Sequence, residues 1–205
     1  MIFNVVAVLL VGVALILQEF MPAIELAHGA RVPIAPVMFF AVALTVPFPV
    51  MLLTAFGLGL VWDARYLVTP SVQADRMAAD VDWESLGITR FESEVDLTLG
   101  YSILLFGLLG SLMQGVRPLF RKGRWELPVI MAGLLTMVWL LAEYLLINLL
   151  RGDFWFPQEI WLKVVTASLL AMLVAPLMLL VLYNLAVWAD YRIRYDGLGF
   201  RRYGI

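Results

Sequence analysis

Few residues in this chain are of a type and in a place to do chemistry. Glu143 interrupts an otherwise uncharged stretch, LPVIMAGLLTMVWLLAEYLLINLL at residues 127–150, and Lys163 falls about one turn into the next apolar stretch, residues 160–188. A carboxylate among apolar side chains is costly and usually faces a partner, and the long lysine stem can reach back along its helix. The spacing therefore predicts a Glu143–Lys163 contact between antiparallel helices. Its simplest use is to hold the fold, since a proton relay usually needs more than one buried acid. Asn148 and Asn184 offer amides that bond across helices. His28 is the single histidine and there is no cysteine, which removes thiolate sites and multi-histidine metal centres. Asp75, Asp80, Asp82 and Glu84 crowd together without an apolar pocket and read as a solvated face. No G-x-x-x-x-G-K-[ST], H-E-x-x-H or G-x-S-x-G occurs. The pattern points to a non-enzymatic protein that carries no cofactor and no metal.

The elements that must position these residues are set by composition. The chain is 63% hydrophobic and 15% charged, against roughly 45–50% and 25% for soluble domains, and its mean hydropathy is +0.93. A formal net charge of −2 gives no footing for nucleic acid. The expectation is an all-α polytopic membrane protein, one transmembrane domain over residues 1–205. A span takes about 20 apolar residues, because the hydrocarbon offers the backbone no hydrogen-bond partner. Residues 2–17 form a first such run, extendable to Met21, and no Lys or Arg precedes it as a signal peptide would require. Residues 33–62 are uncharged for 30 positions and carry Pro47-Phe48-Pro49 in the middle. Proline removes an N–H and pushes its predecessor out of the helical region. Two short helices folded into a hairpin therefore fit better than one kinked rod. Each arm then has about 14 residues, short for a crossing, and needs protein around its turn. Residues 97–116, 127–150 and 160–188 complete the set, the last with Pro176 inside. The total is six transmembrane helices, or five if the proline turn is only a kink.

Basic residues give the orientation, because cytoplasmic segments collect Lys and Arg. Residues 117–126 hold Arg117, Arg121, Lys122 and Arg124, and the tail 189–205 holds Arg192, Arg194, Arg201 and Arg202. Both are expected in the cytoplasm, anchored against anionic lipid. The C-terminus is then cytoplasmic, and six spans put the N-terminus there too. Residues 63–96 form an acidic outer loop, with eight acids against three arginines. Met77 and Val81 are spaced for a short interfacial helix in that loop. Small residues mark close helix packing: Gly57 and Gly59 near the end of the third span, then Gly107, Gly110 and Ser111 in the fourth. Such a stripe serves packing within one subunit, and equally a homodimer or another membrane protein.

The stretch Ala55-Phe56-Gly57-Leu58-Gly59-Leu60-Val61-Trp62-Asp63 resembles the rod shape-determining MreD family, which often carries Gly-Phe-apolar-apolar-Gly-apolar-apolar-apolar-Asp there. Phe56, Gly59 and Asp63 match in register, and Ala55 replaces the first glycine. Gly100 opens the following span as a family-like glycine does, and that span ends in a basic turn. Pro176, an apolar run and an arginine-rich tail follow, again MreD-like. The likeness runs loosely over residues 33–62 and 97–195, and the long acidic loop departs from it. The resemblance implies a non-catalytic inner-membrane component of the bacterial cell-elongation machinery. Such a component binds MreC and connects indirectly to the MreB cytoskeleton and to peptidoglycan synthases, both transpeptidase and glycosyltransferase. The family's fold is similar to the substrate-binding subunits of energy-coupling-factor transporters, so the alternative is a vitamin-binding transport component. That alternative asks for several polar groups converging on a pocket. The sequence offers few: Glu143, Asn148, Lys163 and Tyr144. Independently of the resemblance, Gly59 and Asp63 lie one turn apart on one helix face. A neighbouring helix can come close at Gly59, and Asp63 can cap, pair with Arg65 or meet a partner.

Overall fold

The computed structural model describes residues 2–22, 24, 30–78, 100–119, 126–151 and 158–191. Six α-helices are present among them: α1 (Ile2–Phe20), α2 (Ile34–Thr45), α3 (Phe48–Ala78), α4 (Tyr101–Val116), α5 (Glu126–Arg151) and α6 (Gln158–Trp188), with a 3-10 turn at Arg117–Leu119. Three of them, α1, α5 and α6, are long and apolar enough to cross a membrane, which is compatible with a multi-pass membrane protein.

The proline pair ends α2 and starts α3. α2 closes at Thr45 with Val46 extended, and Phe48 begins α3. Pro49 stands in the first turn of α3, where a missing N–H costs nothing. The two arms fold back on each other, since Phe39 of α2 and Met51 of α3 both abut Gly110 of α4. The predicted hairpin is therefore present, but its arms are unequal. α2 has 12 residues, while α3 runs for 31. The expected outer loop at 63–96 is thus helical up to Ala78, and the helix runs on through Pro70. Met77 belongs to this helix, and Val81 lies outside the described residues.

α2 sits at the centre and touches all five other helices, while α3 lies along α4 and α5 along α6. Every α2 residue is buried, as an all-round apolar helix demands. The surrounding helices invert the pattern of a soluble protein. On α6 the inward positions include Val164, Ala167, Ser168, Ala171, Ala175 and Ala186, while Leu169, Leu173, Leu177 and Leu180 point outward. On α1, Ala7 and Ala14 face in and Leu9, Val13 and Ile16 face out. Small side chains let backbones approach and large aliphatics are left for the surroundings. Phe3 stacks on Tyr191 with ring centroids 4.3 Å apart, so the beginning of α1 and the residues just after α6 share one end of the bundle.

Candidate functional site

Three of the residues singled out in sequence, Gly59, Asp63 and Gly100, build the joint between α3 and α4. Gly59 is buried, and a Cβ there would stand 2.6 Å from both the Cα and the N of Ile103. Only glycine permits that approach, which brings the two backbones together. One turn on, Asp63 is 4% exposed, and its Oδ2 accepts the Gly100 N–H at 2.7 Å. Gly100 is the N-cap residue of α4 at φ 120°, in the left-handed region that favours glycine. The carboxylate thus takes up a main-chain donor at the start of α4, where unpaired N–H groups and the helix dipole favour an anion. Asp63 Oδ1 is buried without a hydrogen-bond partner. Phe56, one turn before Gly59 and two turns before Asp63 on the same side of α3, stays 54% exposed at the edge of the joint, and a Cβ at Gly57, which points away from α4, would meet only open space. Gly110 packs under Met51 and Phe39, whereas Gly107 packs against nothing. The expected stripe on α4 is thus divided between core and surface.

Glu143 is buried beside this joint, but its partner differs from the expected one. Its Oε1 accepts the indole N–H of Trp62 at 3.2 Å, while Lys163 is exposed on α6. The predicted Glu143–Lys163 contact is therefore replaced by a bond from α5 to α3. The reason is rotational: Glu143 faces the aromatic core, and the adjacent helix turns Lys163 outward. Trp62 stands in that core with Phe106 (centroids 6.1 Å) and Trp139 (4.9 Å), and Phe106 also meets Trp139 (5.6 Å) and Phe39 (5.3 Å). Tyr101 lies within electrostatic reach of Glu143 and Asp63. Asn148 has a buried amide nitrogen without a hydrogen-bond partner, and Asn184 is exposed, so neither makes the expected cross-helix bond.

At the other end Arg117 departs from its expected role. It is buried, and its guanidinium reaches the carbonyls of Val46 (3.4 Å) and Thr45 (3.5 Å). Gln114 Nε2 donates to the same Val46 carbonyl at 3.1 Å. Arg117 therefore closes the C-terminus of α2 rather than anchoring the bundle to lipid headgroups. The physical cause is the shortness of α2, whose last carbonyls end inside the protein and need donors. The opposite end of α2 is met by Gln18, whose Oε1 accepts the Ala35 N–H at 2.8 Å. Sequence reasoning did not single out Gln18 or Gln114. The available signal was a polar residue near the end of each apolar run flanking the proline hairpin. Gly133 was also missed; its carbonyl accepts the Ser168 hydroxyl at 2.8 Å and its Cα faces the Met172 side chain. Pro176 lies inside α6, which continues through it. Arg121, Lys122, Arg124, Arg192, Arg194 and His28 lie outside the described residues.

Among the described residues these contacts hold helices together. Comparison with protein-family models, with curated proteins and with solved structures finds no match to this chain.

Proposed function

We propose that the chain is a six-span, non-catalytic component of the bacterial cell-elongation complex in the inner membrane. In this reading it binds MreC and acts through it on the MreB cytoskeleton and the peptidoglycan synthases. One observation carries the reading: the motif positions Gly59, Asp63 and Gly100 lock α3 to α4 while Phe56, in the same motif, is left exposed at the rim of that joint. A motif that rigidifies a helix pair and presents an aromatic outward suits a scaffold better than a reaction centre. The outward aliphatics of α1 and α6 support residence in lipid. The shared end of Phe3 and Tyr191 supports two termini on one side. The basic residues near 117–126 and 189–205 make that side the cytoplasm.

Co-purification from gently solubilised membranes tests the proposal. MreC and cell-wall synthases are expected with the tagged protein, and its depletion is expected to round rod-shaped cells. Recovery of an ATPase module and a vitamin in their place overturns it in favour of a transport component.

A further inference from the structure

Two side-chain oxygens at the α3–α4 joint end without a partner. Asp63 is 4% exposed. Its Oδ2 accepts the Gly100 N–H at 2.7 Å, while its Oδ1 is buried and bonds to nothing. The residue after Gly100 is Tyr101, whose hydroxyl is likewise buried without a hydrogen-bond partner, although the Ser102 side chain stands near it. Asp63 and Tyr101 lie within electrostatic reach of each other, and so do Tyr101 and Glu143 of α5. The phenol could satisfy the carboxylate directly, since a hydroxyl both donates and accepts. It does not do so here, so what joins the two oxygens lies between them. We propose that the Asp63 carboxylate and the Tyr101 hydroxyl bind one small monovalent metal ion, sodium in the first place.

Charge selects an ion over water. A water molecule bridges two oxygens but brings no charge, and a buried carboxylate is costly unless it meets an opposite one. Among the described residues no lysine or arginine pairs with Asp63: Arg117 caps the far end of α4, and Lys163 is exposed on α6. Glu143 adds a second acid to the neighbourhood, its Oε1 holding the Trp62 indole. The available atoms are all oxygens, which suit a hard cation. A divalent ion asks for more of them, six to eight for calcium and a near-ideal octahedron for magnesium. Among the described residues no three of His, Cys, Asp and Glu come together to hold one. Both oxygens are buried, which suits a bare ion better than a bulky organic cation. The ion would tie α3 to α4 one turn beyond Gly59, where the two backbones already touch, and would make that joint depend on sodium. This holds whichever partner the chain binds.

Unfolding of the full chain in mixed micelles, followed by tryptophan fluorescence, tests this in sodium chloride against N-methylglucamine chloride. Equal concentrations hold screening constant, so a difference between the salts reports binding. A ligand of the folded state lowers the unfolding constant by one plus the ratio of its concentration to its dissociation constant, about 100-fold for about 0.1 M sodium and a constant of about 1 mM. The unaltered chain is expected to show a saturable drop of this kind. Asp63→Asn keeps an oxygen for the Gly100 N–H but loses the charge, and is expected to lose the response. Tyr101→Phe is expected to need several-fold more sodium for half the effect. Lys163→Met, on the exposed face of α6, is expected to respond in full. The proposal falls if the unaltered chain unfolds equally in the two salts, or if the Asp63 and Tyr101 variants respond as it does. It falls equally if Tyr101→Phe is the more stable form in both salts, because the hydroxyl is then idle. A response to calcium or magnesium that sodium does not reproduce overturns it in favour of a divalent site.

Discussion

Two glycines on one helix provide an internally controlled measurement. Gly57 and Gly59 are two residues apart on α3, and alanine raises helix propensity by up to about 1 kcal/mol at either. Their surroundings differ. The added methyl meets nothing within 4 Å at Gly57, but at Gly59 it stands 2.6 Å from the Ile103 Cα and N. Ordinary contact begins at 3.4 Å, so the overlap is 3.4 minus 2.6, or 0.8 Å. It is against backbone, which cannot rotate away, so α3 and α4 must separate. Overpacking of this kind costs about 1–3 kcal/mol. Subtracting the propensity gain leaves Gly59→Ala destabilised by up to about 2 kcal/mol, and Gly57→Ala neutral or slightly stabilised. The gap between the two variants is therefore about 1–3 kcal/mol, or about five- to 150-fold in the unfolding equilibrium at 1.4 kcal/mol per tenfold. Reversible unfolding in mixed micelles, followed by tryptophan fluorescence, reads that gap, because Trp62 sits one turn from Gly59 among Phe106 and Trp139. Gly133→Ala is expected between the two, since its new methyl meets the flexible Met172 side chain rather than backbone. Equal stability of Gly57→Ala and Gly59→Ala would refute the close helix crossing on which the α3–α4 joint depends.

Three further outcomes follow from the polar contacts, each measured by the same unfolding equilibrium. Asp63→Leu removes the acceptor for the Gly100 N–H and is expected to cost about 1 kcal/mol, as loss of a capping side chain does; Asp63→Asn keeps an acceptor oxygen, and failure to recover most of that loss would count against the capping role. Trp62→Phe and Glu143→Gln are expected to couple by about 0.6 kcal/mol, up to about 1.7, in a double-mutant cycle, whereas Lys163→Met with Glu143→Gln is expected to show no coupling, because Lys163 is exposed on α6. Arg117→Leu strips donors from the Thr45 and Val46 carbonyls and is expected to destabilise by about 1–3 kcal/mol; a change no larger than that of Pro118→Ala at the neighbouring exposed position would show that Gln114 closes α2 unaided.

What could be read from the sequence followed from local rules, and what could not depended on rotation and burial. Helix positions came from runs of apolar residues, and the break at Pro47-Phe48-Pro49 came from a missing N–H and a steric clash, which act on the residues themselves. Gly59 and Asp63 were legible as a pair because i, i+4 spacing fixes them on one face, although which of the three roles open to Asp63 was taken needed the position of Gly100. The Glu143 partner was not legible. Depth along the two helices placed Lys163 near Glu143, but whether two side chains meet also depends on how each helix is turned, and the linear pattern says little about that when a helix is apolar on every side. Arg117 was misplaced for a related reason. Counted with Arg121, Lys122 and Arg124 it reads as one of a surface cluster, and only the three-dimensional shortness of α2 creates carbonyls for it to satisfy.

The reassignment of Arg117 bears on the orientation as well. A basic residue counts toward the cytoplasmic side by staying there during insertion, whether it ends on a headgroup or on a carbonyl at that depth. Arg121, Lys122 and Arg124 still follow it in sequence, so the side assignment does not hang on a single guanidinium. What changes is the consequence of burying it. α2 is buried along its whole length, and its two ends are closed by Gln18 from α1, by Gln114 from α4 and by Arg117 from the 3-10 turn that follows α4. In hydrocarbon its unpaired end groups would each be costly, and at 12 residues it falls well short of a crossing. α2 therefore depends on α1 and α4 being in place, and the long helices α5 and α6 complete a wall around a segment that would not persist in lipid alone.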